Sequence, residues 1–328
     1  MSKISIIGAG AWGTTLAILL AENHHEVSLW CFEKEVAESI NEFRENKKYL
    51  PGFQLIYSIT AHFDLKTALA GSDFIIFSVP TQHIRQIAKE AHAFINPGTC
   101  VISAAKGIEA STLKRPSEIL KEFLKNEVAA LSGPNLSIEI AKGLPAASTV
   151  ASNNNSINLK AQELLNSERF RVYTNNDIVG VELGGALKNV IAIAAGAIDG
   201  LQLGDNAKSA LLIRGITEIS RLGIALNANP KTFTGLSGMG DLITTCQSSL
   251  SRNHKVGFGL AKGKSLKEIQ SSSPEVAEGV PTSSAALRLA QKHKVEMPIT
   301  QEVCRVLFEG KDVYQAITTL MNRIPTSE

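Results

Sequence analysis

Ile4-Ser5-Ile6-Ile7 runs straight into Gly8-Ala9-Gly10-Ala11-Trp12-Gly13, and Thr14-Thr15-Leu16-Ala17 continues as a helix pattern. This order of strand, glycine turn and helix cradles a dinucleotide. Gly8 permits the tight turn, Gly10 lets the backbone approach a pyrophosphate, and Gly13 lets the helix pack on the strand. The helix start, with Ala11 and Trp12, then points free N–H groups at the anion. Glu33 follows Gly13 by 20 residues, at the end of a second strand pattern. An acid at this point accepts hydrogen bonds from the ribose hydroxyls of NAD, whereas an Arg would hold the 2′-phosphate of NADP. No Arg is present, and Phe32 is placed to lie against the adenine. NAD is favoured, although Lys34 would still tolerate the 2′-phosphate. Glu33 also reads more plainly as the start of a helix, where its charge suits the dipole.

Lys188 is the only charged residue from Leu183 through Ile198. A helix of such composition is buried almost all round, and a buried ammonium is costly unless paired. Burial would lower its pKa towards neutrality, which suits proton delivery to a carbonyl oxygen as hydride arrives. The plainer reading is a lysine whose stem is buried and whose head reaches the surface. Asp241, between glycines and an apolar run, reads either as a partner carboxylate or as an N-cap. Ser251-Arg252-Asn253 matches a phosphate clamp, since Arg holds two phosphate oxygens while Ser and Asn add neutral donors; taken alone, it reads as solvated surface. Lys106 follows the strand pattern Thr99–Ser103, and Gly133, Asn135 and Ser137 follow Val128–Leu131. Ligands gather at that edge of a parallel sheet, although Lys106 by itself also fits an ordinary exposed lysine.

Placing these groups requires an α/β fold. The first half alternates apolar runs with helix patterns, as expected for parallel strands with crossover helices. Strands are expected at Ile4–Ile7, Val27–Trp30, Phe74–Val79, Thr99–Ser103, Val128–Leu131, Ala147–Ala151 and Phe170–Tyr173. Asn153–Ser156 reads as loop. Beyond about Asn176 long Ala/Leu/Gly-rich helix patterns follow, with no convincing strand. Two domains are expected: a Rossmann-type unit over 1–178 and an all-helical unit over 179–328.

Composition narrows the function classes. The 328 residues are 44% hydrophobic and 20% charged, with a net charge of +2. That balance is globular rather than disordered, and it lacks the clustered Lys and Arg of a phosphate-backbone binder, so no nucleic-acid partner is expected. Cys31, Cys100, Cys246 and Cys304 form no close pair, and the seven histidines show no ligand spacing. A metal is therefore not expected, and unpaired thiols fit a reducing compartment, the cytoplasm. The uncharged run Ile4–Ala21 raises a targeting or membrane segment. Its glycines fall where the strand-to-helix turn needs them, and stable membrane insertion is not expected.

Several blocks together resemble the soluble, NAD(P)-dependent glycerol-3-phosphate dehydrogenase family: Gly8–Gly13, Asn46-Lys47-Lys48-Tyr49-Leu50-Pro51, Ser78-Val79-Pro80, Lys106-Gly107, Gly133-Pro134-Asn135, Glu182–Asn189, Gly240-Asp241-Leu242, Thr244-Thr245-Cys246, Ser251-Arg252-Asn253 and Glu278-Gly279. The resemblance implies a Rossmann domain and a helical domain of the 6-phosphogluconate-dehydrogenase-like kind, with the active site in the cleft between them. It implies Lys188 as general acid/base, Asp241 and Thr245 beside it, and Lys106 touching both cofactor and substrate. Gly133, Asn135, Asn189, Ser251, Arg252 and Asn253 would hold the substrate; Tyr49, Ser137, Arg252, Val276 and Glu278 would neighbour the cofactor. Ala11, Asn135 and Phe32-Glu33 depart from the bacterial form of the pattern, the last two towards the NAD-using cytosolic enzymes of eukaryotes. The implied reaction is reduction of dihydroxyacetone phosphate to sn-glycerol 3-phosphate for phospholipid synthesis, by a homodimer. Cys246 is a nucleophile only by analogy with sugar-nucleotide dehydrogenases; an inert buried thiol is the simpler reading. Fold alone leaves two rivals, a 2- or 3-hydroxyacid dehydrogenase and an NAD-binding protein without turnover.

Overall fold

The computed structural model describes residues 1–272 and 276–324. The chain divides into two compact units: Met1–Lys106 with Lys114–Glu182, and Gly107–Leu113 with the chain from Leu183 onward. The first contains the strands β1 (Lys3–Ile7), β2 (Glu26–Trp30), β3 (Glu45–Asn46), β4 (Leu50–Gln54), β5 (Ile59–His62), β6 (Phe74–Phe77), β7 (Cys100–Ser103), β8 (Val128–Ser132), β9 (Ala146–Ala151) and β10 (Phe170–Asn175). Its helices are α1 (Ala11–Glu22), α2 (Lys34–Phe43), α3 (Leu65–Leu69), α4 (Ile84–Ala91), α5 (Pro116–Phe123), α6 (Ser137–Ala141) and α7 (Asn155–Leu165).

Eight strands form one sheet in the order β10-β9-β8-β7-β6-β1-β2-β5. Alternate side chains enter opposite layers. Ile4, Ile6, Val27, Leu29, Ile76 and Ile102 lie in one core, and Ile75, Phe77 and Val101 in the other. Burial on both faces explains why these strands read as unbroken apolar runs. From β1 the chain moves outward to β2 and β5, then returns to β6 on the other side of β1. The glycine turn leaves β1 at this reversal, where open α/β sheets collect ligands at their carboxyl edge.

Three expectations need correction. β8 and β9 pair antiparallel, with Leu131 opposite Val150, because the short connection through α6 makes no full crossover. Between Trp30 and Phe74, where no strand is expected, β3, β4 and β5 occur; Pro51 and Gly52 mask β4, since Pro is confined to edge strands and Gly weakens a strand pattern. Asn153–Ser156 is not simply loop: Asn154 caps α7, its side chain accepting from the Ser156 N–H at 3.0 Å.

The second unit is helical, and among its described residues no strand occurs. α8 (Ile178–Gly200) opens in the first unit and runs on into this one. It is followed by α9 (Gly204–Ala225), α10 (Asp241–Gln247), α11 (Arg252–Ala261), α12 (Leu266–Ser271), α13 (Gly279–Lys292), α14 (Pro298–Phe308) and α15 (Val313–Met321). α8 is long and apolar enough to cross a membrane, but 89% of its most apolar window is buried inside the protein. Helix α11 crosses α8 almost in backbone contact: a Cβ on Gly196 would lie 1.9 Å from the His254 carbonyl oxygen. At the far side, Glu218 of α9 caps α14, accepting from Ile299 N–H at 2.8 Å and Thr300 N–H at 2.9 Å.

Side-chain amides shield both edges of the large sheet. On β5, Asn41 of α2 donates to the Ala61 carbonyl and accepts its N–H, both at 2.9 Å. On β10, Gln162 of α7 donates to the Val172 carbonyl at 2.7 Å, and Asn166 accepts its N–H at 3.1 Å. Open strand edges invite pairing with other chains. Asn41→Leu is expected to cost about 1–3 kcal/mol and to produce concentration-dependent self-association in size-exclusion chromatography. A variant as stable and as monodisperse as the unaltered protein would contradict the shielding role.

Candidate active site

The expected site residues form two groups, one in each unit. In the first, Gly8 adopts φ +114°, and a Cβ on Gly13 would lie 1.9 Å from the Gly8 carbonyl oxygen. A Cβ on Gly10 would meet nothing within 4 Å, so that face of the turn is open to a ligand. No side chain caps α1 and no acid stands in its first turn, leaving its N–H groups available to an anion. Beside the turn, the buried Trp12 Nε1 and Ser78 Oγ have no hydrogen-bond partner among the described residues. Ser103 Oγ and Ser132 Oγ, at the ends of β7 and β8, are in the same condition. Buried polar atoms in a native fold are almost always satisfied, and a cluster of exceptions at the carboxyl edge fits a polar ligand there.

Glu33 stands at the N-cap of α2, but its carboxylate does not cap the helix. Instead Oε1 accepts from Tyr49 Oη at 2.6 Å and Lys48 Nζ at 3.0 Å. Burial pushes its pKa up, but the Tyr49 and Lys48 bonds outweigh this and hold it below the usual carboxylate value. Phe32 is 72% exposed beside it, a free ring face at the expected adenine position. The cation at Glu33 is Lys48 rather than Lys34; Lys34 pairs with Glu38 at 3.3 Å, one helical turn further along.

Lys106, Gly133 and Asn135 come together at the ends of β7 and β8. Lys106 Nζ donates to the Gly133 carbonyl at 2.8 Å. The Ser148 hydroxyl faces the Ser132 carbonyl at 3.0 Å and Asn135 Oδ1 at 3.2 Å, leaving the buried Asn135 Nδ2 unpartnered among the described residues. The Ser137 carbonyl accepts from Thr15 Oγ1 of α1 at 3.2 Å.

In the second unit, a one-turn π segment, Leu236–Gly240, precedes α10. It approaches α8 so closely that a Cβ on Gly184 would sit 2.5 Å from the Ser237 carbonyl oxygen. Four residues on, along the same helix face, Lys188 meets the start of α10. Its Nζ donates to Asp241 Oδ1 at 2.7 Å and Thr245 Oγ1 at 2.6 Å. Lys188 is 7% exposed and Asp241 1%, so the ammonium does not reach the surface, and Asp241 is a partner carboxylate rather than a cap.

The chain matches the NAD-dependent glycerol-3-phosphate dehydrogenase N-terminus over residues 3–158 and C-terminus over residues 177–318. A glycerol-3-phosphate dehydrogenase [NAD(P)+] from Thermoanaerobacter sp. is 47% identical, the match covering 98% of this chain and 97% of the relative. One from Bacillus velezensis is 46% identical, covering 100% and 96%. The chain belongs to the NAD-dependent glycerol-3-phosphate dehydrogenase family. The crystal structure of glycerol-3-phosphate dehydrogenase from Coxiella burnetii superposes with a TM-score of 0.95 at 38% identity, covering 98% of this chain and 99% of that one.

Against this family background, the Ser251-Arg252-Asn253 block divides its tasks. Ser251 caps α11, its Oγ accepting from His254 N–H at 3.2 Å. Arg252 is exposed at the first position of α11. Asn253 is buried, donating to Asn189 Oδ1 at 2.8 Å and accepting from Gly279 N–H at 2.9 Å. Glu278 directly precedes that glycine, and Val276 is exposed two residues before Glu278. Burial pushes the Cys246 thiol up to about 12, the inert state rather than a nucleophile.

Three residues with no expected role emerge from the geometry: Lys48, Ser148 and Asn46. Lys48 and Asn46 lie in the quoted block Asn46–Pro51, and that block is the one signal that could have found them. Ser148 carries no sequence signal.

Breaking a buried ion pair from one side strands a charge. Asp241→Ala is expected to lower unfolding stability in urea by about 3–5 kcal/mol, and Lys188→Met in the same background to recover most of it. Equal stability of single and double variants would contradict the buried pair.

Proposed function

We propose that this chain catalyses reversible hydride transfer between NAD(P)H and carbon 2 of dihydroxyacetone phosphate, forming sn-glycerol 3-phosphate. The observation that carries the mechanism is the buried Lys188–Asp241–Thr245 group. The open glycine turn, the free start of α1 and the unsatisfied polar atoms beside them suit a dinucleotide. Gly8, Gly10, Ala11, Trp12 and Gly13 would hold its pyrophosphate, and Phe32, Glu33 and Tyr49 its adenosine end. When bound, the reduced nicotinamide supplies the hydride.

Lys188 acts as the general acid. Two of its three N–H donors are directed at Asp241 and Thr245, and the third gives its proton to the carbonyl oxygen as the C–O bond becomes single. In the reverse direction the neutral amine takes the alcohol proton back. Asp241 orients the amine and balances its charge while protonated; Thr245 fixes its rotation. Arg252, exposed at the start of α11, grips the phosphate with its planar fork, and Lys106 adds a second cation to the ligand-binding groups. Asn189 and Asn253, locked to each other, brace the surface that carries Arg252. The non-reacting phosphate thereby supplies binding energy that orients the reacting carbon.

Glu33, held ionised and lacking an Arg neighbour in sequence, favours NAD over NADP. Four buried, unpaired thiols suit a reducing compartment. We place the reaction in the cytoplasm, with a homodimer feeding glycerophospholipid synthesis.

NADH oxidation should be rapid with dihydroxyacetone phosphate and negligible with unphosphorylated dihydroxyacetone or 2- and 3-keto acids. Turnover confined to a keto acid would instead identify a hydroxyacid dehydrogenase, and none at all a binding protein. Lys188→Ala is expected to lower kcat by about 10²–10⁴-fold with NADH affinity retained; undiminished kcat would remove Lys188 from its role. Arg252→Ala should raise KM for the phosphorylated substrate about 10- to 100-fold, and an unchanged KM would refute the phosphate grip.

A further inference from the structure

Asn46 is 1% exposed, and its hydrogen bonds run to the parts of the first unit that would face a dinucleotide. Its Nδ2 donates to the Ala9 carbonyl oxygen and to Thr14 Oγ1, each at 2.8 Å. Its Oδ1 accepts the Tyr49 N–H at 3.2 Å. Ala9 lies within the glycine turn and Thr14 in the first turn of α1. Tyr49, through its hydroxyl, holds Glu33 at 2.6 Å. A single amide therefore joins the pyrophosphate turn to the ribose acid, using two donors on one atom and an acceptor on the other.

The local fold delivers it there. Helix α2 ends at Arg44 in the left-handed conformation, φ 56°, and the chain turns into the β3–β4 hairpin. A register shift at Glu45/Asn46 interrupts the ladder, and Glu45 Oε1 accepts the Gly52 N–H at 2.8 Å, closing the hairpin. Its tip, Lys47–Tyr49, then projects beside Glu33, with Asn46 beneath it against the glycine turn.

We propose that Asn46 is a positioning residue of the dinucleotide site: it fixes Tyr49, and through Tyr49 the Glu33 carboxylate, relative to the glycine turn, so that the site selects NAD(H) over NADP(H). A carboxylate held rigidly at the ribose accepts hydroxyl donors and repels a 2′-phosphate. A carboxylate free to swing away does neither well. This rests on reading the glycine turn and Glu33 as the dinucleotide site.

Fluorescence titration with NADH and with NADPH, without substrate, tests it. The unaltered protein should bind NADH more tightly. Asn46→Ala is expected to weaken NADH about 3- to 10-fold and NADPH less, narrowing the preference. Tyr49→Phe, which removes only the hydroxyl on Glu33, should narrow it too, and in that background Asn46→Ala should narrow it no further. Equal weakening of both ligands by Asn46→Ala, or an unchanged preference in Tyr49→Phe, overturns the proposal; if Asn46→Ala does not fold, Tyr49→Phe decides. Unaltered protein that binds both ligands equally overturns it as well. Unaltered protein that binds neither overturns the dinucleotide reading itself, and this inference with it.

Discussion

Lys188 carries the single charge of an apolar stretch buried on every side, and the surrounding helices answer the cost of that burial. An isolated ammonium in such surroundings is intolerable for a domain of ordinary stability. Asp241 must therefore approach α8 within hydrogen-bond range, and only a small residue on α8 lets the preceding π segment come near enough. Gly184 is that residue, one turn before Lys188 on the same face. The charge, the glycine and the irregular turn form one device. Two of the Lys188 N–H groups are directed at Asp241 and Thr245, a geometry that suits the proton donation proposed for it.

The first unit works by a different economy of charge. Its ligand edge presents backbone N–H groups, hydroxyls and an indole N–H rather than a bed of lysines, which suits a ligand held along its length rather than gripped as a point anion. Glu33, Lys48 and Lys106 are charged groups there, and the Tyr49 and Lys48 bonds keep Glu33 ionised. Both charges of the Glu33–Lys48 pair lie near the surface, where the pairing itself adds little stability; its value lies in where it points the carboxylate.

Much of this arrangement was legible in the sequence because it is written locally. Unbroken apolar runs mark strands covered on both faces, and the Gly8–Gly13 spacing marks the turn between β1 and α1. Lys188 stands out because it is the only charged residue from Leu183 through Ile198. What escaped was either short or distant. Strand β3 has two residues, and β4 contains a proline and a glycine. The reversal of β9 depends on how a short connection packs, which no run of residues records. Asn46 reaches Ala9 and Thr14 across more than thirty positions, and Ser148 reaches Asn135 from another strand. Composition and spacing carry no trace of such pairs.

Buried asparagines recur where the chain ties a turn or two elements together. Asn126 donates to three carbonyls, at Asn96, Pro97 and Thr99. Asn158 donates to the carbonyls of Ser152, just beyond β9, and Asn175, the last residue of β10. Asn46 ties the glycine turn, and Asn189 with Asn253 ties α8 to α11. An aspartate at any of these places would set oxygen against oxygen and pay the desolvation cost of a full charge. A leucine would leave the carbonyls unsatisfied. The amide supplies donors and an acceptor without ionising, so the frame keeps its geometry across the pH range in which carboxylates and amines change state. The ionisable groups proposed for the chemistry are then a small set: Lys188 with its buried partner, Arg252 at the start of α11 and Glu33 at the N-cap of α2. On the proposed mechanism, the amides that hold the backbone stay neutral while Lys188 alone exchanges a proton.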